Sequence, residues 1–168
     1  MKSLNEHISI IENKKSEIHV YHGTNSEFDT ISLDNSASSQ GKVLWTVDEY
    51  SYAATQGKYV KEFVLRPNKI LNKETINSLT DEEIKAALVE FTPTLSDKKL
   101  DRIMIRVRKN IDKYNKGTLS GMDIFNGMGD TSILLSLNFD MESFPNPYDK
   151  SKESNFHVVF NTKIVTNK

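Results

Sequence analysis

The middle of the sequence carries two helical patterns, and extended patterns lie on both sides of them. Residues 80–91 begin with the capping-box pair Thr80 and Glu83 and continue with apolar residues at helical spacing. Residues 96–116 repeat such an apolar stripe and stop at Gly117. Because the helices are grouped between two sets of strands, the sequence predicts an α+β domain in which helices and sheets are segregated.

The length of the chain fits one compact domain. With 168 residues and 37% hydrophobic content, it can bury a core without dividing into two units. We therefore expect a single domain over residues 1–168, with a helical segment at about 74–128. Within that segment, residues 119–128 predict a third, shorter helix that ends at glycines.

The first half contains three runs typical of strands. They cover residues 18–24, 43–46 and 59–65, and a short return follows at Ile70-Leu71. Between the second and third runs, the polar pair Asp48-Glu49 indicates the start of a short helix.

Two polar stretches accompany these strands. Residues 3–13 fit either an amphipathic helix or an edge strand, and both alternatives stay open. Residues 25–42 are rich in Ser, Asn, Asp and Gly, which predicts an irregular loop able to close over a bound ligand.

The last third is expected to return to extended structure. Residues 131–137 are almost continuously apolar, which we interpret as a strand buried on both faces. Residues 144–148 contain two prolines and are not expected to join a central sheet. Residues 156–160 and 163–165 predict the final strands.

Composition narrows the function classes. The formal net charge is −1, so overall charge does not favour direct nucleic-acid binding. No apolar run approaches membrane-spanning length or resembles a signal peptide, and we expect no membrane association. The chain has no cysteine, which excludes disulfides and a cysteine nucleophile. No metal site is expected, because ligand spacing is absent among the four histidines, His7, His19, His22 and His157.

Two of the predicted strands end in motifs that resemble a known family. Tyr21-His22-Gly23-Thr24 and, about twenty residues later, Val43-Leu44-Trp45-Thr46 are similar to the first two motifs of NAD-dependent ADP-ribosyltransferases of the diphtheria-toxin and poly-ADP-ribose-polymerase type. Asp48-Glu49 through Gln56-Gly57-Lys58 more closely resembles small phage ADP-ribosyltransferases that act as anti-CRISPR proteins. The likeness covers residues 17–71 well and the C-terminal third loosely. It implies an ADP-ribosyltransferase-like core of two packed, mostly antiparallel sheets with a helical insertion in the middle of the chain.

The resemblance also implies a set of NAD-binding residues: Tyr21, His22, Gly23, Thr24, Trp45, Thr46 and Tyr50. In that scheme Gly23 binds the nicotinamide carboxamide through its backbone, and His22, as a catalytic-site residue, hydrogen-bonds the adenosine ribose. A glycine suits the first role because a side chain would block close approach of the backbone. Trp45, Tyr50 and Tyr52 are the aromatic candidates for the nicotinamide face, and at most two of them are expected to line it.

The acidic member of the site is less clearly marked. The family places a glutamate at the start of a late strand, where this sequence has Asn155-Phe156-His157. The small phage type instead has an acid just after the preceding strand, and by that likeness we predict Asp140 as the catalytic carboxylate. Three other acids stay open as alternatives, namely Glu142, Glu153 and Asp130.

The implied function is mono-ADP-ribosyl transfer from NAD to a host protein, as by a phage or bacterial effector in the cytoplasm of the bacterial host cell. The expected target is a protein such as a subunit of a CRISPR surveillance complex, and toxin-like hydrolysis of free NAD is a weaker possibility. The alternative is a catalytically silent ADP-ribosyltransferase-like module that blocks a protein or ribonucleoprotein partner by occupancy. The basic helix at 98–116 would serve that role, although a solvated helix exterior is the more common reason for such charge. The family's tyrosine pair is also incomplete, with Leu44 or Trp45 and Thr55 or Gln56 nearest to the two positions.

Overall fold

The computed structural model describes residues 17–28, 31, 42–128, 130–151 and 153–168. The predictions for residues 3–13, and most of the loop predicted at 25–42, lie outside the described residues. The described chain is an α+β fold, as the sequence predicts.

Seven strands form one mixed sheet in the order β4-β5-β6-β2-β1-β3-β7. Neighbouring strands are antiparallel except for β4 and β5, which are parallel. Hydrogen bonding links all described strands in one series, and the division into two packed sheets stays a prediction. The strands are β1 Ile18–Thr24, β2 Leu44–Val47, β3 Tyr59–Leu65, β4 Ile70–Leu71, β5 Met141–Pro145, β6 Asn155–Val159 and β7 Val165–Asn167.

The helices lie mainly between β4 and β5 in sequence, and the two predicted central helices are confirmed. They are α1 Tyr50–Thr55, α2 Lys73–Asn77, α3 Asp81–Phe91, α4 Asp97–Asn115 and α5 Asp130–Ser136, with 3-10 turns at Gly121–Asp123 and Thr162–Ile164. The capping box of α3 is present, since the Glu83 amide donates to Thr80 Oγ1 at 3.1 Å and the Thr80 amide donates to the Glu83 carboxylate at 2.8 Å. Among the described residues, no helix combines the length and the apolar character needed to cross a membrane.

The sheet buries apolar side chains on both faces. Val158 belongs to the larger core cluster, which α2 to α5 build against one face, whereas the next residue, Val159, belongs to a smaller cluster. Side chains of successive strand residues point to opposite faces, so the two clusters lie on opposite sides of the sheet. The smaller cluster consists of Val20, Leu44, Phe63, Leu65, Met141, Val159 and Ile164.

The predicted strand at 131–137 is wrong, because this segment forms α5. A short apolar run does not distinguish a buried helix from a buried strand. The burial pattern is helical, with Ile133 and Leu134 buried while Leu135 is exposed. The helix ends at Ser136, and Asn138, two residues later, has a φ of 63°, the left-handed conformation common just after a helix.

The prediction that residues 144–148 cannot join a central sheet is wrong for the first two of them. Phe144 pairs with Phe156, and Pro145, the last residue of β5, pairs with Asn155. The reason is that β4 pairs only with Met141 and Glu142 of β5. Beyond Glu142 the strand has no described partner on that side, so the missing amide of proline costs no ladder hydrogen bond there.

The third predicted helix, at 119–128, is largely absent. Only Gly121–Asp123 is helical, as a 3-10 turn, and turns continue to residue 128. Gly127 has a φ of 71°, which a continuing helix does not allow. The helical part of the chain therefore runs from Lys73 to Ser136, with this irregular stretch inside it.

Candidate ligand-binding site

A cavity of about 310 Å³ lies where β1, β2, α1 and β6 meet. We call it the His22 cavity. Its lining combines the first motif, the second motif, one side of α1 and a residue of the late strand: Tyr21, His22, Gly23, Trp45, Thr46, Val47, Tyr52, Ala53, Gln56 and Phe156. The antiparallel pairings of β2 with β1 and with β6 hold the three strands side by side, which brings the distant segments together.

His22 is fixed by a hydrogen bond between neighbouring strands. Its Nδ1 lies 2.7 Å from the backbone oxygen of Trp45. A carbonyl oxygen only accepts, so Nδ1 carries the proton and donates. In the neutral ring, Nε2 is then the acceptor, suited to a ligand hydroxyl such as that of a ribose.

Part of the lining of the His22 cavity is an aromatic wall. The rings of Trp45 and Phe156 meet edge to face, with centroids 5.9 Å apart, and Tyr52 meets Phe156 in the same way at 5.3 Å. Burial raises the pKa of Tyr52, and the neighbouring Tyr148 adds to that shift, so the phenol is a neutral hydrogen-bonding group. This wall can hold a flat ring against an aromatic face.

Tyr50 does not line the cavity. It is 59% exposed and contacts Tyr21 edge to face, with ring centroids 5.5 Å apart. Of the three aromatic candidates, Trp45 and Tyr52 are therefore at the cavity and Tyr50 is outside it. The phase of α1 causes this difference, because residues two apart on a helix point in different directions.

Gly23 is required by the packing of α1. A Cβ atom on Gly23 would lie 2.1 Å from the carbonyl oxygen of Ala53 and 2.8 Å from Gln56 Cβ. Gly57 is similarly enclosed, since its Cβ would lie 2.4 Å from the backbone of Thr24. The sequence suggested a close approach of ligand to Gly23, and the structure shows a close approach of helix to strand.

The two threonines predicted for the site differ. The side chain of Thr46 lines the cavity and donates to the backbone oxygen of His157 at 3.0 Å, which fixes β2 to β6. Thr24 lies outside the lining. Its hydroxyl group donates to the backbone oxygen of Ser26 and accepts from the Ser26 amide, each at 3.2 Å. Thr24 therefore shapes the turn that follows β1.

Five of the seven predicted cofactor-binding residues thus meet at one cavity, and Thr24 and Tyr50 do not. Sequence reasoning missed part of the lining. Phe156 stands at the late strand that the resemblance singles out, so its position was a usable signal. Val47, Ala53 and Gln56 line the cavity because α1 packs across β2, which the sequence does not reveal.

Asp140, the predicted catalytic acid, is not at the His22 cavity. It is 5% exposed and lies just before β5. Its Oδ2 accepts from the amides of Asn68 at 2.7 Å and Lys69 at 3.1 Å, and its Oδ1 accepts from Asn161 Nδ2 at 2.7 Å. The carboxylate therefore joins the turn before β4 to the segment after β6. This geometry is that of a structural anchor.

Two of the other acids predicted as alternatives, Glu142 and Glu153, also lie outside the described lining. Glu142 lines a second cavity, beside the C-terminal end of α4. Glu153 is exposed, and Asp130 is the first residue of α5. None of the described residues that line the His22 cavity carries a carboxylate.

The start of β6 is held by Asp48. The Asn155 amide donates to Asp48 Oδ1 at 2.7 Å, and Asn155 Nδ2 donates to Oδ2 at 3.0 Å. His157 Nε2 lies 3.7 Å from the same carboxylate, and Ser143 Oγ lies 2.8 Å from His157 Nδ1. Burial lowers the pKa of His157, while Asp48 opposes that shift. At the position where the resembled family has its glutamate, this chain thus has an amide bound to the acid that follows β2.

Comparison with protein-family models, curated proteins and solved structures gives no match to this chain.

Proposed function

We propose that the His22 cavity binds NAD and that the protein is a mono-ADP-ribosyltransferase that modifies another protein. The observation that carries this proposal is the meeting of the two motif segments, Tyr21-His22-Gly23 and Trp45-Thr46, around one cavity with an aromatic wall. With it we infer an ADP-ribosyltransferase-like core of two packed, mostly antiparallel sheets. The seven-stranded sheet, in which β1 and β2 are adjacent, is compatible with that core.

The residues present suit one end of the dinucleotide. The cavity is at the lower end of the range of about 300–1,000 Å³ found for ligand pockets, which fits a nicotinamide and its ribose better than a whole dinucleotide. Trp45 and Tyr52 supply ring faces, and His22 Nε2 supplies an acceptor for a hydroxyl. Such contacts orient the bond that breaks and exclude water from it.

NAD supplies a cationic leaving group, so cleavage of its bond to ribose proceeds without a strong acid at that group. The task of the chain is then to hold the ribose, stabilise the positive charge that develops on it and admit the acceptor side chain. The aromatic wall formed by Trp45, Tyr52 and Phe156 serves the second task through cation–π attraction.

The nature of the acceptor rests on the resemblance. A host bacterial protein in the cytoplasm, such as a subunit of a CRISPR surveillance complex, is the target class that the phage-type likeness implies. The aromatic and proline-containing segment at 144–148, which contacts the wall of the cavity through Phe144 and Tyr148, is a candidate surface for that protein.

The second candidate is a catalytically silent module that blocks a protein or ribonucleoprotein partner by occupying part of its surface. It is favoured by one specific observation, the lack of a carboxylate among the described residues of the lining. The site of the late-strand glutamate holds Asn155, which is bound to Asp48. A module of this kind would act through contact with its protein or ribonucleoprotein partner and would transfer no ADP-ribose, with or without NAD in the cavity.

A label-transfer experiment distinguishes the two candidates. The purified protein is incubated with biotin-tagged NAD and a bacterial lysate, and proteins carrying the label are separated and identified. His22→Ala is the test variant and His19→Ala is the matched control, because His19 lies on the same strand but is exposed and does not line the cavity. Binding of NAD is measured in parallel by calorimetry for all three proteins.

A discrete labelled protein that is present with wild type and His19→Ala but absent with His22→Ala would support the transferase. Binding of NAD without any label would support the silent module. Release of nicotinamide without label would indicate hydrolysis of free NAD. Absence of NAD binding by a folded wild-type protein would refute the transferase and leave the occupancy module, which needs no NAD.

A further inference from the structure

A second cavity, larger than the first, lies between β5 and the C-terminal end of α4. Its volume is about 640 Å³, and we call it the Glu142 cavity. The lining is built from α4, the segment that follows it, β5 and the start of α2: Tyr114, residues 117–120, Glu142, Ser143, Phe144, Pro145, Asn72 and Lys73. No residue of this lining belongs to the His22 cavity.

The carboxyl group of Glu142 is buried at this cavity. The residue is 2% exposed, and its Oε1 accepts from the amide of Gly121 at 2.9 Å. Its Oε2 has a long contact, 3.5 Å, with Ser120 Oγ, and the backbone amide of Met122 also donates toward the carboxyl group. A carboxylate offers about four acceptor positions, so this oxygen retains capacity for a further donor.

Within the described part of the chain, no basic side chain forms an ion pair with this carboxyl group. Among the described residues, none of the ion pairs within 4.0 Å includes Glu142, although Lys73 also lines the cavity. A buried carboxylate without a cation is costly, and Asp123 adds repulsion. The site is therefore electrostatically suited to a positive group brought from outside.

The remaining lining is largely apolar. Tyr114 and Phe144 offer aromatic rings, and Leu119 and Pro145 add aliphatic surface. Aromatic rings attract organic cations, and apolar walls favour a hydrophobic body over a hydrated metal ion. Tyr114 stays neutral, because burial and the nearby Glu142 raise its pKa to about 12.

We propose that the Glu142 cavity binds a small organic cation, an amine or guanidine with an apolar body. An N–H group of this ligand donates to Glu142 Oε2, and its apolar part lies against Tyr114 and Phe144. This site is independent of NAD binding and of ADP-ribosyl transfer, and the proposal goes beyond that function.

The state of Glu142 strengthens the case for a cation. Burial raises its pKa to about 7, against the hydrogen bonds from residues 120–122 that lower it. A bound cation stabilises the ionised form of Glu142 and therefore lowers the pKa of this carboxyl group. Affinity for a permanently charged ligand should therefore fall as the pH is lowered through about 7 and Glu142 becomes protonated.

Phenylguanidine is a suitable probe, and phenylurea is its neutral counterpart of nearly the same shape. Each is titrated into the ¹⁵N-labelled full chain at pH 8, and amide shifts are followed by NMR. We expect phenylguanidine to bind at least about tenfold more tightly than phenylurea, because only the cation pairs with the carboxylate. The amides of Gly121 and Phe144 should shift, and those around His22 should not.

Glu142→Gln is the test variant, because it keeps the shape of the side chain and removes its charge. Glu153→Gln, which changes an exposed acid outside both cavities, is the control. The first should weaken phenylguanidine binding at least about tenfold and the second should leave it unchanged. Comparison of wild type at pH 8 and pH 6 gives the same answer without a substitution, since the cation should bind more weakly at pH 6.

Three results would overturn the proposal. They are equal binding of phenylguanidine and phenylurea, shifts at amides other than those of the Glu142 cavity, and no binding of the cation at millimolar concentration. Because NAD binding is measured separately, failure here leaves the function of the His22 cavity untouched.

Discussion

Replacement of Asp140 by alanine should destabilise the protein rather than remove a catalytic group. The carboxylate accepts three hydrogen bonds, two from the backbone of Asn68 and Lys69 and one from Asn161. These donors belong to segments that precede β4 and follow β6. Asp140→Ala removes the one carboxylate that accepts from all three donors.

The expected loss follows from these contacts. A hydrogen bond to a charged group contributes about 1.5–3 kcal/mol net, so three independent bonds would sum to more than 4 kcal/mol. The bonds share one acceptor group, and Asn68 is exposed enough for water to replace its lost partner. We therefore expect a loss of about 3 kcal/mol in the free energy of unfolding, or about 6–12 °C in Tm for a domain of this size.

Urea denaturation followed by circular dichroism measures this loss. Asp140→Asn should cost only about 1 kcal/mol, because its remaining oxygen still accepts from the two backbone amides and Asn161 can turn its own side-chain oxygen toward the new amide. Glu153→Ala should change stability by less than about 0.5 kcal/mol, since the side chain is exposed. NAD affinity of folded Asp140→Ala should equal that of wild type.

A loss below about 1 kcal/mol for Asp140→Ala would refute the anchoring role. So would a variant of wild-type stability that no longer supports ADP-ribosyl transfer, because that result would make the residue catalytic. The pair Asp140→Ala and Asp140→Asn separates the two roles, since an anchor tolerates the amide and a catalytic carboxylate does not.

Three further predictions concern stability. Glu142 should contribute a loss of up to about 3 kcal/mol in stability as the pH rises from 4 to 8, because its folded-state pKa is raised from 4.5 to about 7; urea denaturation across this pH range should show that Glu142→Gln lacks this component, and equal pH dependence in both proteins would contradict it. Gly23→Ala should lose at least about 2 kcal/mol, because its Cβ would lie 2.1 Å from the Ala53 carbonyl oxygen; thermal denaturation measures the loss, and a variant of unchanged Tm would show that α1 shifts freely. Thr80→Ala should cost about 1 kcal/mol through its lost cap, whereas Ser96→Ala, which has no side-chain cap hydrogen bond, should cost much less; equal losses in urea denaturation would argue against the capping box.

The parts of the fold that the sequence predicts are those with local causes. The helix at 81–91 follows from the capping box and a regular apolar stripe, and β1 and β3 follow from β-branched and aromatic runs that end at turns. Each of these sequence patterns lies entirely within about twelve consecutive residues. The three strand-like runs of the first half and the two central helices were therefore recognisable before any packing was known.

The parts that sequence reasoning missed depend on long-range packing. Whether residues 131–137 form a helix or a strand is decided by the core that surrounds Ile133 and Leu134, and the apolar run alone does not encode it. The pairing of Pro145 depends on the shortness of β4, which is more than seventy residues away in sequence. Sequence patterns describe each segment but not its neighbours.

The candidate site divides in the same way. The motif residues of β1 and β2 could be assigned to one cavity for two reasons. The resemblance identifies the two motifs along the sequence, and adjacent antiparallel strands bring them together. The acid could not be assigned, because Asp140 and Glu142 are two residues apart and equally polar in sequence. Which backbone amides each one meets is set by the turn before β4 and by the segment after α4.

These two acids show why the position of a carboxylate in sequence does not reveal its role. Asp140 precedes β5 and has both oxygens engaged by short hydrogen bonds, so its charge is already compensated by the chain. Glu142 lies within β5 beside a cavity, where the backbone of Gly121 and Met122 donates to its carboxyl group and Ser120 makes only a long contact with Oε2. A group whose acceptors are filled stabilises the fold, and a buried group with a free acceptor position is able to bind a ligand. Substitutions at Asp140 should consequently change stability, and substitutions at Glu142 should change what the protein binds.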